Sequence, residues 1–248
     1  LPSCAPAQEQ KPSLKVTGIE SRGEQKLLAE AGSERAKRIV AALLAKHGRT
    51  YCDELGIDIA RGTPSALFRW LCATMLFSAR ITAKTAVAAA KALTEHGWTT
   101  AQKMAASTWE DRTHVLNASG YARYDESTSR KLGAAAAYLL SQYGGDLRRL
   151  RERAGRNPAA EHALIQEFKG IGPVGADIFC REMQAIWEEL YPFADAVALE
   201  TAKRLNLGSS AEELAALVSR KDFPRFIAAL VRTHLAGDEE EVERQAAA

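Results

Sequence analysis

Apolar residues recur at helical spacing in nearly every segment of this chain, and no stretch alternates polar and apolar for more than a few residues. That periodicity excludes sandwiches, barrels and open sheets, which need runs of period two. SERAKRIVAALLAKHG carries Ile39, Val40, Leu43 and Leu44 between a cap-like Ser33 and Gly48. Thr63-Pro64 sets a capping hydroxyl before a first-turn proline, and ALFRWLCATMLF follows. Thr82 precedes the alanine-dense AKTAVAAAKALTEHG, and Asn157-Pro158 opens a helix through Phe168. GADIFCREMQAIWEEL, ALETAKRLNLG, SAEELAALVSR and PRFIAALVRTHLAG continue the pattern, and Asn-Gly hairpin turns are absent. The expected fold is all-α, with about a dozen short helices.

Composition narrows the functional classes. The 248 residues are 46% hydrophobic, enough for one large core or two small ones. With 33 basic and 31 acidic residues, any nucleic-acid surface has to come from local clustering. No apolar run reaches membrane-span length. The opening LPSCAPAQEQKPS lacks the order of a secretory signal and reads as a flexible tail, over 1–24, so the expectation is a soluble intracellular protein. Cys4, Cys52, Cys72 and Cys180 are too far apart for a CxxC clip, and Cys72 and Cys180 read as buried thiols. The five histidines form neither HxxxH nor HExxH, so a metal-dependent hydrolase is not expected.

FKGIGPVGAD contains Gly-x-Gly-x-x-Gly at Gly170, Gly172 and Gly175, with Asp195 about twenty residues on. A dinucleotide fingerprint needs a buried strand before the first glycine. Here the preceding EHALIQEFK places Ala163, Leu164, Ile165 and Phe168 at helical spacing, and Asp195 heads another helix. The pattern reads as helix, tight turn, helix. Gly170 and Gly172 permit dihedrals closed to other residues, Pro173 suits a first helical turn, and Ile171 tucks between the helices. The free N–H groups at that helix start suit a phosphate. A plain helical corner with no ligand is the competing reading.

FKGIGPVGADIF also resembles the helix-hairpin-helix of the endonuclease III-like DNA glycosylase superfamily (HhH-GPD). MLFSARITAKTAVAAAKAL, 75–93, resembles that family's early helix–loop–helix, and PFADAVALETAKRLNL, 192–207, the segment carrying its essential aspartate. The three lie in the family's order, and the likeness covers roughly 34–236. It implies two helical lobes with a DNA-binding cleft between them. Residues 63–190 would form the central lobe, and 25–62 plus 191–248 the other. Double-stranded DNA with a damaged base is the implied partner, bound by a monomer in the cytoplasm or nucleoid.

The resemblance implies site residues as well. Asp195 would stabilise the charge that builds on the sugar as an N-glycosidic bond breaks; its bland alternative is a helix N-cap. The hairpin would be Lys169, Gly170, Ile171, Gly172, Val174 and Gly175. Bifunctional members carry a lysine where this chain has Val174, so base release without strand cleavage is implied. The Cys-rich tail that binds an iron–sulfur cluster in many relatives is missing. No cofactor is expected beyond a possible monovalent cation at the hairpin. Arg80 and Tyr121 stand where relatives insert side chains into DNA. Trp187, Tyr191 and Phe193, with Val174, are candidates for a base pocket. Arg148, Arg149, Arg151, Arg153 and Arg156, with weaker Lys103, Lys131 and Lys169, are candidate phosphate contacts or a solvated face. The alternatives are a non-catalytic helix-hairpin-helix DNA-binding protein, or a bifunctional glycosylase/AP lyase using an unorthodox lysine.

Overall fold

The computed structural model describes the backbone over 20–248 and side chains from residue 31 onward. The span 1–19, with Cys4, lies outside the described residues. The described chain is helical throughout, with no strand. The helices are α1 (Glu20–His47), α2 (Tyr51–Glu54), α3 (Pro64–Phe77), α4 (Ala83–Glu95), α5 (Ala101–Ala106), α6 (Trp109–Ala118) and α7 (Asp125–Tyr143). After them come α8 (Leu147–Arg153), α9 (Pro158–Gln166), α10 (Pro173–Met183), α11 (Ala196–Arg204), α12 (Ala211–Ala215), α13 (Phe223–Ala236) and α14 (Glu239–Ala247). Short 3-10 turns occupy Ile59–Arg61 and Glu188–Leu190.

Side-chain caps start the helices where the sequence places them. The hydroxyls of Thr63 and Thr82 accept from the N–H groups of Ala66 and Thr85, and the Asn157 amide oxygen accepts from Ala160. Ser33 differs from expectation. It lies inside α1, which begins at Glu20, within the segment read as tail. GEQKLLAEAG is rich in good helix formers, and they carry the helix past Gly32-Ser33.

Two hydrophobic cores organise the chain. The first gathers buried side chains from Tyr51 to Leu190, including Trp70, Leu71, Leu139, Phe168 and Phe179. The second joins Ile39, Val40 and Leu43 of α1 to side chains from Ala198 to Ala246, with Phe223, Phe226 and Leu230 at its centre. Tyr51, Cys52, Leu55 and Ile57 belong to the first core, not the second as the boundary at 62/63 implied. The reason is electrostatic as well as apolar. Glu182 of α10, fully buried, accepts from the N–H groups of Tyr51 and Cys52 at 2.8 and 3.1 Å and so caps α2 from across the fold. Burial pushes the Glu182 carboxyl up, and those two hydrogen bonds oppose it. Cys72 and Cys180 are buried as expected, and Cys52 joins them.

The cores meet along α2, α10 and α13. Arg232 of α13 bonds Glu54 of α2 at 2.5 Å and lies over the Tyr51 ring, 4.0 Å from its centroid. The chain crosses between the cores through Tyr191 and Pro192, joined by a cis peptide bond.

Candidate functional site

The turn 167–172 between α9 and α10 uses the freedom of glycine at Gly170 but not, as the sequence suggested, at Gly172. Gly170 has φ +101°, and a Cβ there would lie 2.7 Å from Cδ of Lys131. A Cβ on Gly175 would meet Oγ of Ser78 at 2.7 Å, so this glycine brings α10 against the end of α3. Gly172 differs from both: its φ is −102° and a Cβ would meet nothing within 4 Å. Neither its φ nor packing requires glycine at 172, which is the N-cap of α10, a position where glycine is preferred to alanine. Ile171 is buried between the helices, and its N–H donates to the Phe168 carbonyl at 2.9 Å. No side chain caps α10, and Pro173 occupies its first turn. Lys169 and Val174 are exposed, Val174 to 68%.

A cavity of about 200 Å³ opens beside this helix start, where the two cores face each other. Tyr51, Phe77, Ile81 and Ile178 line it from the first core, and Val197, Val231 and Leu235 from the other side. Val174 stands on its wall. The Tyr51 and Phe77 rings lie 4.6 Å apart, tilted by 52°. One charged group, Arg181, reaches the cavity. Val174, Ile178 and Arg181 are spaced i, i+4, i+7, so one face of α10 presents all three.

Asp195 sits behind that wall. It is 6% exposed and caps α11, its Oδ1 accepting from the Ala198 N–H at 3.0 Å. Its Oδ2 accepts from Nε of Arg181 at 2.6 Å and also from Nη2. Both side chains are almost wholly withdrawn from solvent. The capping role and the proximity to a cavity hold together, and the carboxylate reaches the cavity through its arginine rather than lining it.

The other aromatic candidates lie elsewhere. Trp187 is buried in the first core, edge-on to Phe179. Tyr191 packs on Phe223 with Arg220 over its ring. Phe193 is half-buried, its backbone clasped on both sides by the Gln184 amide. None of the three lines the cavity, because the turn after α10 directs them into the cores. Tyr121 is 1% exposed and its hydroxyl accepts from Thr128, so it is a core residue in this structure and no surface wedge. Arg80 is exposed as expected, on the α3–α4 loop. It shares a second cavity of about 330 Å³ with Tyr124, Ser127, Lys131 and Gly170 of the hairpin.

The arginine run is mostly committed within the fold. Arg148 pairs with Asp146, Arg151 with Glu189, and Arg153 lies over the Tyr143 ring. Sequence reasoning missed Tyr51, Phe77 and Arg181. The first two are far apart in the chain and carry no local mark. Arg181 had one: a lone charge on the apolar face of GADIFCREM. Among the described residues no cluster of His, Cys, Asp and Glu could hold a metal ion, and no helix is long and apolar enough to cross a membrane. Comparison with protein-family models, with curated proteins and with solved structures returns no match to this chain.

Proposed function

We propose that this chain is a DNA glycosylase of the helix-hairpin-helix kind, which releases a base and leaves an abasic site. The reading rests on Val174. This residue stands in the first turn of an uncapped helix, where backbone N–H groups suit a phosphate, and on the wall of an apolar cavity. A strand gripped at the hairpin backbone would thus hold a flipped nucleotide over the cavity mouth. The two cores then act as two lobes with duplex DNA across their junction, and the protein works as an intracellular monomer.

The chemistry follows from the groups at the wall. Flipping costs a few kcal/mol, repaid by backbone contacts and by burial of the base against Tyr51 and Phe77. A water oxygen bonds to C1′ as the C1′–N bond breaks, the bonding pair leaves with the base, and the proton shed by the water ends on the departing base. Positive charge on the sugar passes near Asp195. Three N–H donors occupy the Asp195 carboxylate. A carboxylate has about four acceptor sites, so one is left; because Asp195 stands behind the wall, it would act on the attacking water only after Arg181 moves aside or through a bridging water. No lysine lines the cavity, which accords with release of the base alone.

The Arg181–Asp195 pair favours a second reading, in which the chain grips distorted DNA and breaks no bond. A base-release assay separates the two. Duplexes carrying one lesion each are incubated with wild type and Asp195→Asn, then treated with alkali. Wild type should cleave at a lesion, and Asp195→Asn should lose at least about 100-fold in turnover with DNA affinity kept. Its circular dichroism is recorded alongside, because the substitution removes the charge opposite a buried arginine. Equal turnover in a folded mutant removes Asp195 from the mechanism. Tight binding with no release from any lesion establishes the second reading.

A further inference from the structure

Arg181 is the charged side chain on the cavity wall. Its Nε and Nη2 are both spent on Asp195, and its Nη1 has no hydrogen-bond partner among the described residues. The side chain is 7% exposed, and it lines the cavity. A guanidinium is a planar fork, so fixing one edge on Asp195 fixes where the remaining N–H groups point. The other lining groups are apolar apart from Tyr51, whose ring already has the Arg232 guanidinium over it. An aromatic with a cation on one face is a poor receptor for a second cation. At about 200 Å³ the space is small beside the ~300–1,000 Å³ of ordinary small-molecule sites, and suits a single heterocycle.

We infer that this cavity selects neutral, carbonyl-bearing heterocycles and rejects cationic ones, with Nη1 of Arg181 donating to the carbonyl oxygen. The inference rests on the reading that the cavity receives a flipped base, and it names the class of base. A ligand lacking an acceptor leaves a buried donor unpaired, and a cationic ring presents N–H or N–CH3 groups where Arg181 presents only donors. Lesions bearing an oxo group fit this requirement, and bases made cationic by alkylation do not.

The test uses nucleosides with the full chain, so that it stands apart from catalysis. Methyl-labelled protein is titrated with inosine, which is neutral and carries a 6-oxo group, and with 1-methyladenosine, which is cationic at neutral pH. The methyl signals of Val174, Val197, Val231 and Leu235 report occupancy. Inosine should bind at least about tenfold more tightly, a factor that corresponds to ~1.4 kcal/mol. Arg181→Lys keeps a cation beside Asp195 but loses the fork, and should lose most of that preference. Equal or tighter binding of 1-methyladenosine overturns the inference, as does the absence of inosine-dependent shifts at these methyls. So does an unchanged preference in Arg181→Lys. Failure of base release with the inosine preference intact would sink the glycosylase reading alone. Release of cationic lesions in preference to oxo lesions would sink this inference alone.

Discussion

Replacing Glu161 with glutamine tests how the first core holds a carboxyl it has closed off from water. Glu161 is fully buried on α9, and neither of its carboxylate oxygens has a hydrogen-bond partner among the described residues. Burial, then its neighbour Glu189, push its pKa up from 4.5 to about 8. Arg151 holds Glu189 in the opposite direction through contacts of 2.5 and 2.6 Å. Near neutral pH the pair therefore carries one proton, on Glu161, while Glu189 stays ionised against Arg151. The folded pKa lies above the unfolded one, so the native state keeps a proton that the unfolded chain has lost. The stabilisation is complete below about pH 4.5 and is lost as pH rises towards about 8. Each pH unit in that window costs up to ~1.36 kcal/mol, so a rise from about pH 5.5 to 7.5 costs at most ~2.7 kcal/mol. Relaxation of the charged pair reduces this to about 1–2 kcal/mol. Glutamine fills the same space beside Glu189 without titrating. In urea unfolding at several pH values, Glu161→Gln should flatten the decline of wild-type stability across this window and exceed wild type at its alkaline end. Parallel pH profiles for the two proteins would refute the protonated pair.

Gly172→Ala should fold with a loss of no more than about 1 kcal/mol, since its φ suits any residue and its Cβ meets nothing, while alanine is a poorer N-cap than glycine. It should nonetheless weaken DNA binding several-fold by fluorescence anisotropy if a strand lies on that backbone, and unchanged affinity would move the strand elsewhere. Gly170→Ala, at φ +101° and against Lys131, should instead lower thermal stability by about 1 kcal/mol or more, and an unchanged melting curve would contradict the turn geometry. Arg80→Ala should leave stability unchanged and reduce the salt dependence of DNA binding by about one counterion; an unaltered slope would show that Arg80 does not meet a phosphate.

The local features of this protein were legible because they act over three or four residues. Thr63, Thr82, Asn157 and Asp195 cap helices as their sequence positions suggest, since a capping side chain bonds an N–H within its own first turn. The left-handed Gly170 and the first-turn Pro173 were legible for the same reason, whereas Gly172 takes a φ open to any residue. Tertiary packing decided what side chains at a distance would do. Tyr121 and Trp187 went into the core, although the same local sequence would have suited an exposed wedge or a pocket wall. Tyr51 and Phe77 became neighbours because the buried Glu182 draws α2 onto α10, against which α3 also packs. Most of all, the partner of Asp195 is invisible in sequence. The cap that positions this carboxylate is a local matter, but Arg181 reaches it only once α10 and α11 are folded against the junction of the two cores.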